Sequence, residues 1–394
     1  AVQEAVGDLP GGGAGNPQRG VGAVWLSGRM SQELTQRSLV DWDAAAQLAA
    51  KMTPPGPTPA PREMSKAVES LRYFAHESVH HVHTITRLDA AENLRDSTVL
   101  VVDRAGWAKA NTQTFSVLMQ PVFDRLRAKD PQKFDAALRG IAPTATAAEM
   151  GALVGFLSAK VLGQYDPYAG LVSEAAARSH PGGRLMFVAP NVLWTEKELN
   201  VASEDFRLWV CLHEQTHRVQ FAAAPWLRDH MLEQITSLGP LDASVWDRVR
   251  ALASSVTGRS RGERPDAGLG PLTHLLTAQE RATVSHVTAV MSLLEGHANA
   301  VMDAVDARIV PTVKTIRRRF DNRSADHGVV DRFIRSVLGM DAKMRQYSNG
   351  QKFVEHIVER AGMDRFNTVC SSPETLPTEA EIHDPQAWMD RVLA

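Results

Sequence analysis

His213-Glu214-Gln215-Thr216-His217 has the residue types and the spacing of a metal hydrolase. Residues at i and i+4 share one face of a helix, so both imidazoles can turn a ring nitrogen toward one ion. Glu214 follows one residue on, beside that face, where a carboxylate can take a proton from an activated water without displacing it. The chain holds a second match, His76-Glu77-Ser78-Val79-His80, followed by His81 and His83.

Helix geometry separates the two. At about 100° per residue, Met64, Ala67, Val68, Leu71, Ala75 and Val82 gather on one side of the first segment. His76, His80 and His83 fall nearly opposite, with Glu69, Arg72 and Tyr73, on the wet face of an amphipathic helix. In the second segment Phe206, Trp209, Val210 and Phe221 lie on the side of His213 and His217, while Leu208, Cys211, Leu212 and Val219 make the other side apolar too. That helix is expected to be buried almost all round. A buried polar pair needs a partner, and a metal is the natural one.

Two histidines do not complete a catalytic zinc site; a third protein ligand is needed, with one position left for water. The best candidate is Glu295, set among apolar residues in Leu293-Leu294-Glu295-Gly296-His297. Gly296 beside it allows another backbone to come close. Asn299 and Asp303 fall one and two turns on, where they could orient a ligating histidine. His297 and His286 are rival ligands. A donor for the oxyanion is also required; Tyr347 is the first candidate and His230 the second.

These residues need elements to hold them. With 394 residues and 44% hydrophobic content, the chain can build a large core. Lys and Arg number 43 against 45 Asp and Glu, a net charge of -2 that points to neither nucleic acid nor an anionic membrane. The two cysteines, with Cys211 inside a helix, do not make a disulfide framework. No apolar run reaches spanning length and no basic region with an apolar core opens the chain, so a cytoplasmic enzyme is expected. The chain begins without Met, which leaves a removed leader open.

Residues 1–21 are Gly-rich and expected to form an irregular arm. Residues 22–394 are expected to form a single domain, divisible into a helical part, 22–165, and a metal-site part, 166–394. Asp41 to Met52 reads as a helix, and the Pro-rich run from Thr53 to Pro61 as a stiff connector. A helix to about Thr84 and a strand over Ser97 to Val102 follow. From Trp107 to Leu162 the pattern is helical, broken at Asp130-Pro131 and Ala142-Pro143; Leu162 to Pro167 reads as a helix end and turn. Arg184 to Ala189 is a second strand, and Ser203 reads as the cap of the histidine-bearing helix. Helices are expected over Trp226 to Leu238 and Trp246 to Val256, a loop over Gly258 to Pro271, and a long helix over Thr277 to Val310. Later helices pass through Asp331, Phe353, Met363 and Trp388. The fold class is mainly α (α+β), with a small sheet. Arg317-Arg318-Arg319 reads as a solvated helix face.

The chain resembles the actinobacterial zincin-like hydrolases, the type 2 zincin-like metallopeptidases, over nearly everything after the arm. The matching pieces begin with Val40-Asp41-Trp42, Asp103-Arg104 with Trp107 and Asn111, and Leu162-Gly163-Gln164-Tyr165-Asp166-Pro167. Pro190-Asn191, His213 to His217 and Glu295-Gly296 follow, then Gln346-Tyr347 with Gly350 and Phe353, and Leu376-Pro377 with Glu381-Ile382, Pro385 and Trp388. The resemblance implies a zincin-like fold and places the metal at His213 and His217. It implies a gluzincin-like arrangement with Glu295 as third ligand and Zn2+ as the cofactor. The His76 match is not part of that pattern. The resulting expectation is a zinc-dependent peptidase or amide hydrolase with Glu214 as general base, acting on a peptide or small amide. The rivals are a zincin-fold scaffold that binds metal or a partner without turnover, and a helical core whose two histidines are merely hydrogen-bonded. Substrate, endo- or exo-cleavage and oligomeric state are open.

Overall fold

The structure, a computed structural model, describes residues 38–54, 56–92, 94–139, 142–237, 278–327 and 347–394. The expected arm at 1–21, the helix over Trp246 to Val256, the loop over Gly258 to Pro271 and the helix through Asp331 lie outside them. The described chain is mainly helical around one three-stranded sheet.

The sheet is where the β-branched and apolar runs meet. β1 (Thr98–Val102) runs parallel to β3 (Arg184–Val188), and β2 (Gly163–Asp166) lies antiparallel on the other side of β3, giving the order β1-β3-β2. β3 is buried at every position, and its period of two divides it between two cores. Leu185 and Phe187, with Val99 and Val101 of β1, face one cluster that includes Leu71, Phe206 and Leu212. Met186 and Val188, with Leu100 and Val102, face another built on Trp107, Leu153 and Leu157. A boundary at 165/166 falls inside β2, and the sheet joins strands from both sides of it.

Helices on either side follow the expected apolar faces. Asp41 caps Trp42–Met52, whose Ala45 and Ala49 are buried. The described connector residues stay non-helical to Ala60, and Pro61 opens a helix to Thr86, where a rigid φ is welcome in the first turn. Helices Arg104–Lys129, Pro131–Arg139 and Ala142–Ser158 carry the chain from β1 to β2. No single described helix is long and apolar enough to cross a membrane.

Two helices position the chemistry. The histidine helix, Ser203–Ala223, packs against Pro61–Thr86, β2 and the glutamate helix, Ala278–Ala304. Its burial is nearly continuous, covering Phe206 to Leu212 and then Gln215, Thr216 and Arg218 to Gln220. Its cap is Ala202 rather than Ser203, which is the first helical residue. Asp205 in its first turn instead accepts from the Thr312 amide at 2.8 Å and the Thr312 hydroxyl at 2.6 Å.

The glutamate helix stops at Ala304, short of the expected Val310, because Asp306 takes over its backbone. Its carbonyl accepts from Ile309 and Val310, and its carboxylate accepts from the Arg308 amide. The glutamate helix also meets Tyr347–Ala361. A methyl group on Gly296 would run into the Gly350 backbone, and one on Gly350 into the Ser292 carbonyl. Only glycine at both places lets the two backbones touch.

Candidate metal centre

His213 and His217 sit one turn apart with their rings edge to face, centroids 4.9 Å apart and planes at 86°. Their Nε2 atoms are 3.3 Å apart. Glu295, from the facing helix, brings one oxygen to 3.9 Å from His213 Nε2 and the other to 3.7 Å from His217 Nε2. One ligand atom from each of the three lies within 4.8 Å of the others, the one such group among the described residues.

The geometry fits an ion. Two nitrogens on a tetrahedral zinc, each bonded at about 2.0–2.1 Å, stand roughly 3.3 Å apart. Burial drives both groups of the pair's neighbourhood toward their neutral forms. His213 is pushed down to about 4 by desolvation and by His217 beside it, so it offers a lone pair rather than a proton at neutral pH. Glu214 is pushed up to about 7, chiefly by burial, with His217 opposing and Glu295 adding. A carboxyl poised there can both take and return a proton.

Glu214 is placed by β2. The Gly163 Cα lies so close to it that a Cβ would stand 2.5 Å from Glu214 Cγ and 2.9 Å from its carboxyl carbon. The segment Leu162 to Pro167, expected as a turn, is thus the edge strand against which the base packs. Its other side chains lock that edge. Gln164 donates to Asn111 Oδ1 at 3.0 Å, and the Tyr165 hydroxyl donates to the Gly182 carbonyl at 2.7 Å. Asp166 is buried in an ion pair with Arg184 at 2.9 Å and accepts from the Thr114 hydroxyl at 2.6 Å.

The second layer differs from expectation. The partner of His217 Nδ1 is Gln220, whose Oε1 is 3.0 Å away. Asn299 makes no hydrogen bond to either histidine among the described residues. Asp303, a further turn on, is drawn off to Arg317 at 3.1 Å and also accepts from Gln351. At about 1.5 Å of rise per residue, Asp303 stands about 12 Å along the helix axis from Glu295. Arg317 is therefore ion-paired rather than simply solvated. Gln220 shares the face of His217 at i+3, which is the signal that could have singled it out.

The rival ligands do other things. His297 is buried, pushed down to about 4 by desolvation and His217, and turns Nδ1 toward Gln220. His286 and His230 face one another with 2.8 Å between their Nε2 atoms. His230, the second oxyanion candidate, is thus engaged by His286. Tyr347 begins the helix Tyr347–Ala361, and its side chain lies outside the described residues. His76 and His80 stand exposed on their helix and line a surface pocket with His83, Glu92 and Arg95, and neither belongs to the three-ligand group.

A family model described as zincin-like metallopeptidase matches residues 40–389. Among solved structures, the chain is similar to a protein of Chloroflexus aurantiacus provisionally called a hydrolase with a novel fold. The TM-score is 0.62 at 27% sequence identity, covering 89% of this chain and 98% of that one. A search of curated proteins finds no match to the chain.

Proposed function

The chain belongs to the zincin-like metallopeptidase family, and from that premise we propose that it is a zinc-dependent hydrolase of peptide or amide bonds. The observation that carries this reading is the meeting of His213, His217 and Glu295 with Glu214 alongside. Bound there, zinc would supply the positive charge that acidifies water and polarises a carbonyl. His213, His217 and Glu295 would hold it. Glu214, backed by Gly163, would accept the proton of the attacking water and return it to the leaving nitrogen.

The edge of the sheet favours a peptide over a small amide. Val188 donates to the Leu162 carbonyl at 2.9 Å, so by antiparallel alternation the backbone groups of Gln164 and Asp166 also turn toward β3. Those of Gly163 and Tyr165 turn outward, and among the described residues none of them has a hydrogen-bond partner. An extended segment laid along β2 would satisfy these groups and pass the Gly163 end, where Glu214 lies.

The test is Glu214→Gln. It should hold zinc as the wild type does, by mass spectrometry of the intact protein, and lose turnover of a peptide library by about 10²–10⁴-fold. Undiminished turnover would remove Glu214 from the mechanism. A fully metallated wild type that cleaves nothing would assign the site to binding instead.

A further inference from the structure

One turn beyond His217, the Gln220 carboxamide is held at three points. Its Nε2 lies 2.8 Å from the Leu294 carbonyl and 3.2 Å from His297 Nδ1, and its Oε1 lies 3.0 Å from His217 Nδ1. A carbonyl oxygen only accepts, so the atom facing Leu294 is the amide nitrogen and the carboxamide cannot be turned over. Oε1 is left as an acceptor, and the proton it accepts sits on His217 Nδ1. In the neutral imidazole, the form that binds a metal, His217 Nε2 then keeps the lone pair. That is the atom 3.3 Å from His213 Nε2 and 3.7 Å from Glu295.

His297 reads in the opposite sense. Its Nδ1 accepts from Gln220, so its proton is on Nε2, which is buried without a hydrogen-bond partner. Gln220 and His297 are 3% and 4% exposed, so water does not compete for the amide. His213 has no counterpart: no partner for its Nδ1 is present among the described residues.

We propose that Gln220, held in orientation by His297, is a positioning residue that sets the tautomer of His217 and fastens the histidine helix to the glutamate helix one residue before Glu295. An unconstrained imidazole favours its proton on Nε2, the wrong nitrogen for a ligand facing Glu295. Gln220 removes that competition before any ion arrives. Neither Gln220 nor His297 offers an atom to the ion itself. Their effect is on how the ligands are presented.

The zinc reading of the site underlies only one of two readouts. The other uses metal-free wild-type protein, labelled with nitrogen-15 at histidine and observed by two-bond proton–nitrogen NMR near neutral pH. His217, assigned by the signal lost in His217→Ala, should show a protonated Nδ1 and a bare Nε2, and His297 the reverse. A neutral His217 with its proton on Nε2 overturns the proposal, with no variant required to fold.

The second readout is zinc affinity by competition with a chromophoric chelator. Gln220→Leu, shown to be folded by circular dichroism, should bind about 10–100-fold more weakly than wild type. His297→Phe should weaken binding in the same direction. His297→Asn, whose side-chain oxygen can accept where Nδ1 does, should recover it. Unchanged affinity in folded Gln220→Leu overturns the positioning role, and unchanged affinity in His297→Phe removes His297 from it. A wild type that takes up no zinc yet shows the expected tautomers would defeat the zinc reading and support the tautomer assignment.

Discussion

Metal-free protein reports the environment of its ligands through pH. The folded Glu214 carboxyl, raised to about 7, binds its proton more tightly than the unfolded chain does at 4.5. Its contribution to stability is present below about 4.5 and lost as pH rises through about 7. His213 and His297 are depressed from 6.5 to about 4, so theirs is present above about 6.5 and lost as pH falls through about 4. Two histidines outweigh one glutamate on the acid side, which puts the optimum of this group near 6.5. Between that point and about pH 8, urea unfolding of the metal-free protein should show a loss of about 1 kcal/mol at most. Glu214→Gln should remove it; the same loss in that variant would assign it to another group. At this scale the sequence was partly legible. His213 and His217 declare themselves by spacing, and Glu295 by standing where a structural helix has no use for an acid. Gln220 is offered by its i+3 place on the face of His217, but its role depends on which end of its amide meets a carbonyl on another helix.

At the scale of elements, β2 is the instructive failure. Gly163 and Asp166-Pro167 are turn residues by local preference, and the strand exists because of what the segment meets elsewhere. It pairs with β3, and Asp166 is buried against Arg184 and Thr114. Gly163 is present for another reason, the room that Glu214 requires. Gly163→Ala should therefore displace the Glu214 carboxyl and lower turnover by on the order of 10²-fold. Stability should fall by about 1–3 kcal/mol from the overpacking, with zinc content unchanged. Turnover and zinc measured on one preparation check this, and full activity would mean that β2 does not position the base. By contrast, the Trp42 helix, β1, β3 and the helices around Phe353 and Trp388 follow from local pattern alone, and they form near where that pattern puts them.

At the scale of the molecule, the pieces on which the resemblance to the zincin-like hydrolases rests mostly hold the scaffold. Asp103 caps a helix, and the Asn191 amide satisfies the Ser158 and Val161 carbonyls, both at 2.7 Å. Glu381 closes a capping box and pairs with Arg391, and Trp388 donates to the Thr375 carbonyl at 2.8 Å. Pairs between elements, such as Asn191 with Ser158 and Val161, leave no trace in periodicity, which is why the helical class was readable and the sheet order was not. The scaffold's task is to face two helices whose ligands are far apart in the chain. Gly296 against Gly350 sets how close the glutamate helix stands to its C-terminal neighbour, and Gln220 ties it to the histidine helix. An ion held by His213, His217 and Glu295 would be a further cross-link between those helices. Binding only to the folded chain, zinc at a thousandfold above its dissociation constant should add about 4 kcal/mol of stability, seen as a rise of several degrees in Tm. Glu295→Ala, which leaves both ligands on one helix, should lose most of that rise even where mass spectrometry still finds zinc. An equal rise in the variant would show that the ion is held without joining the two helices.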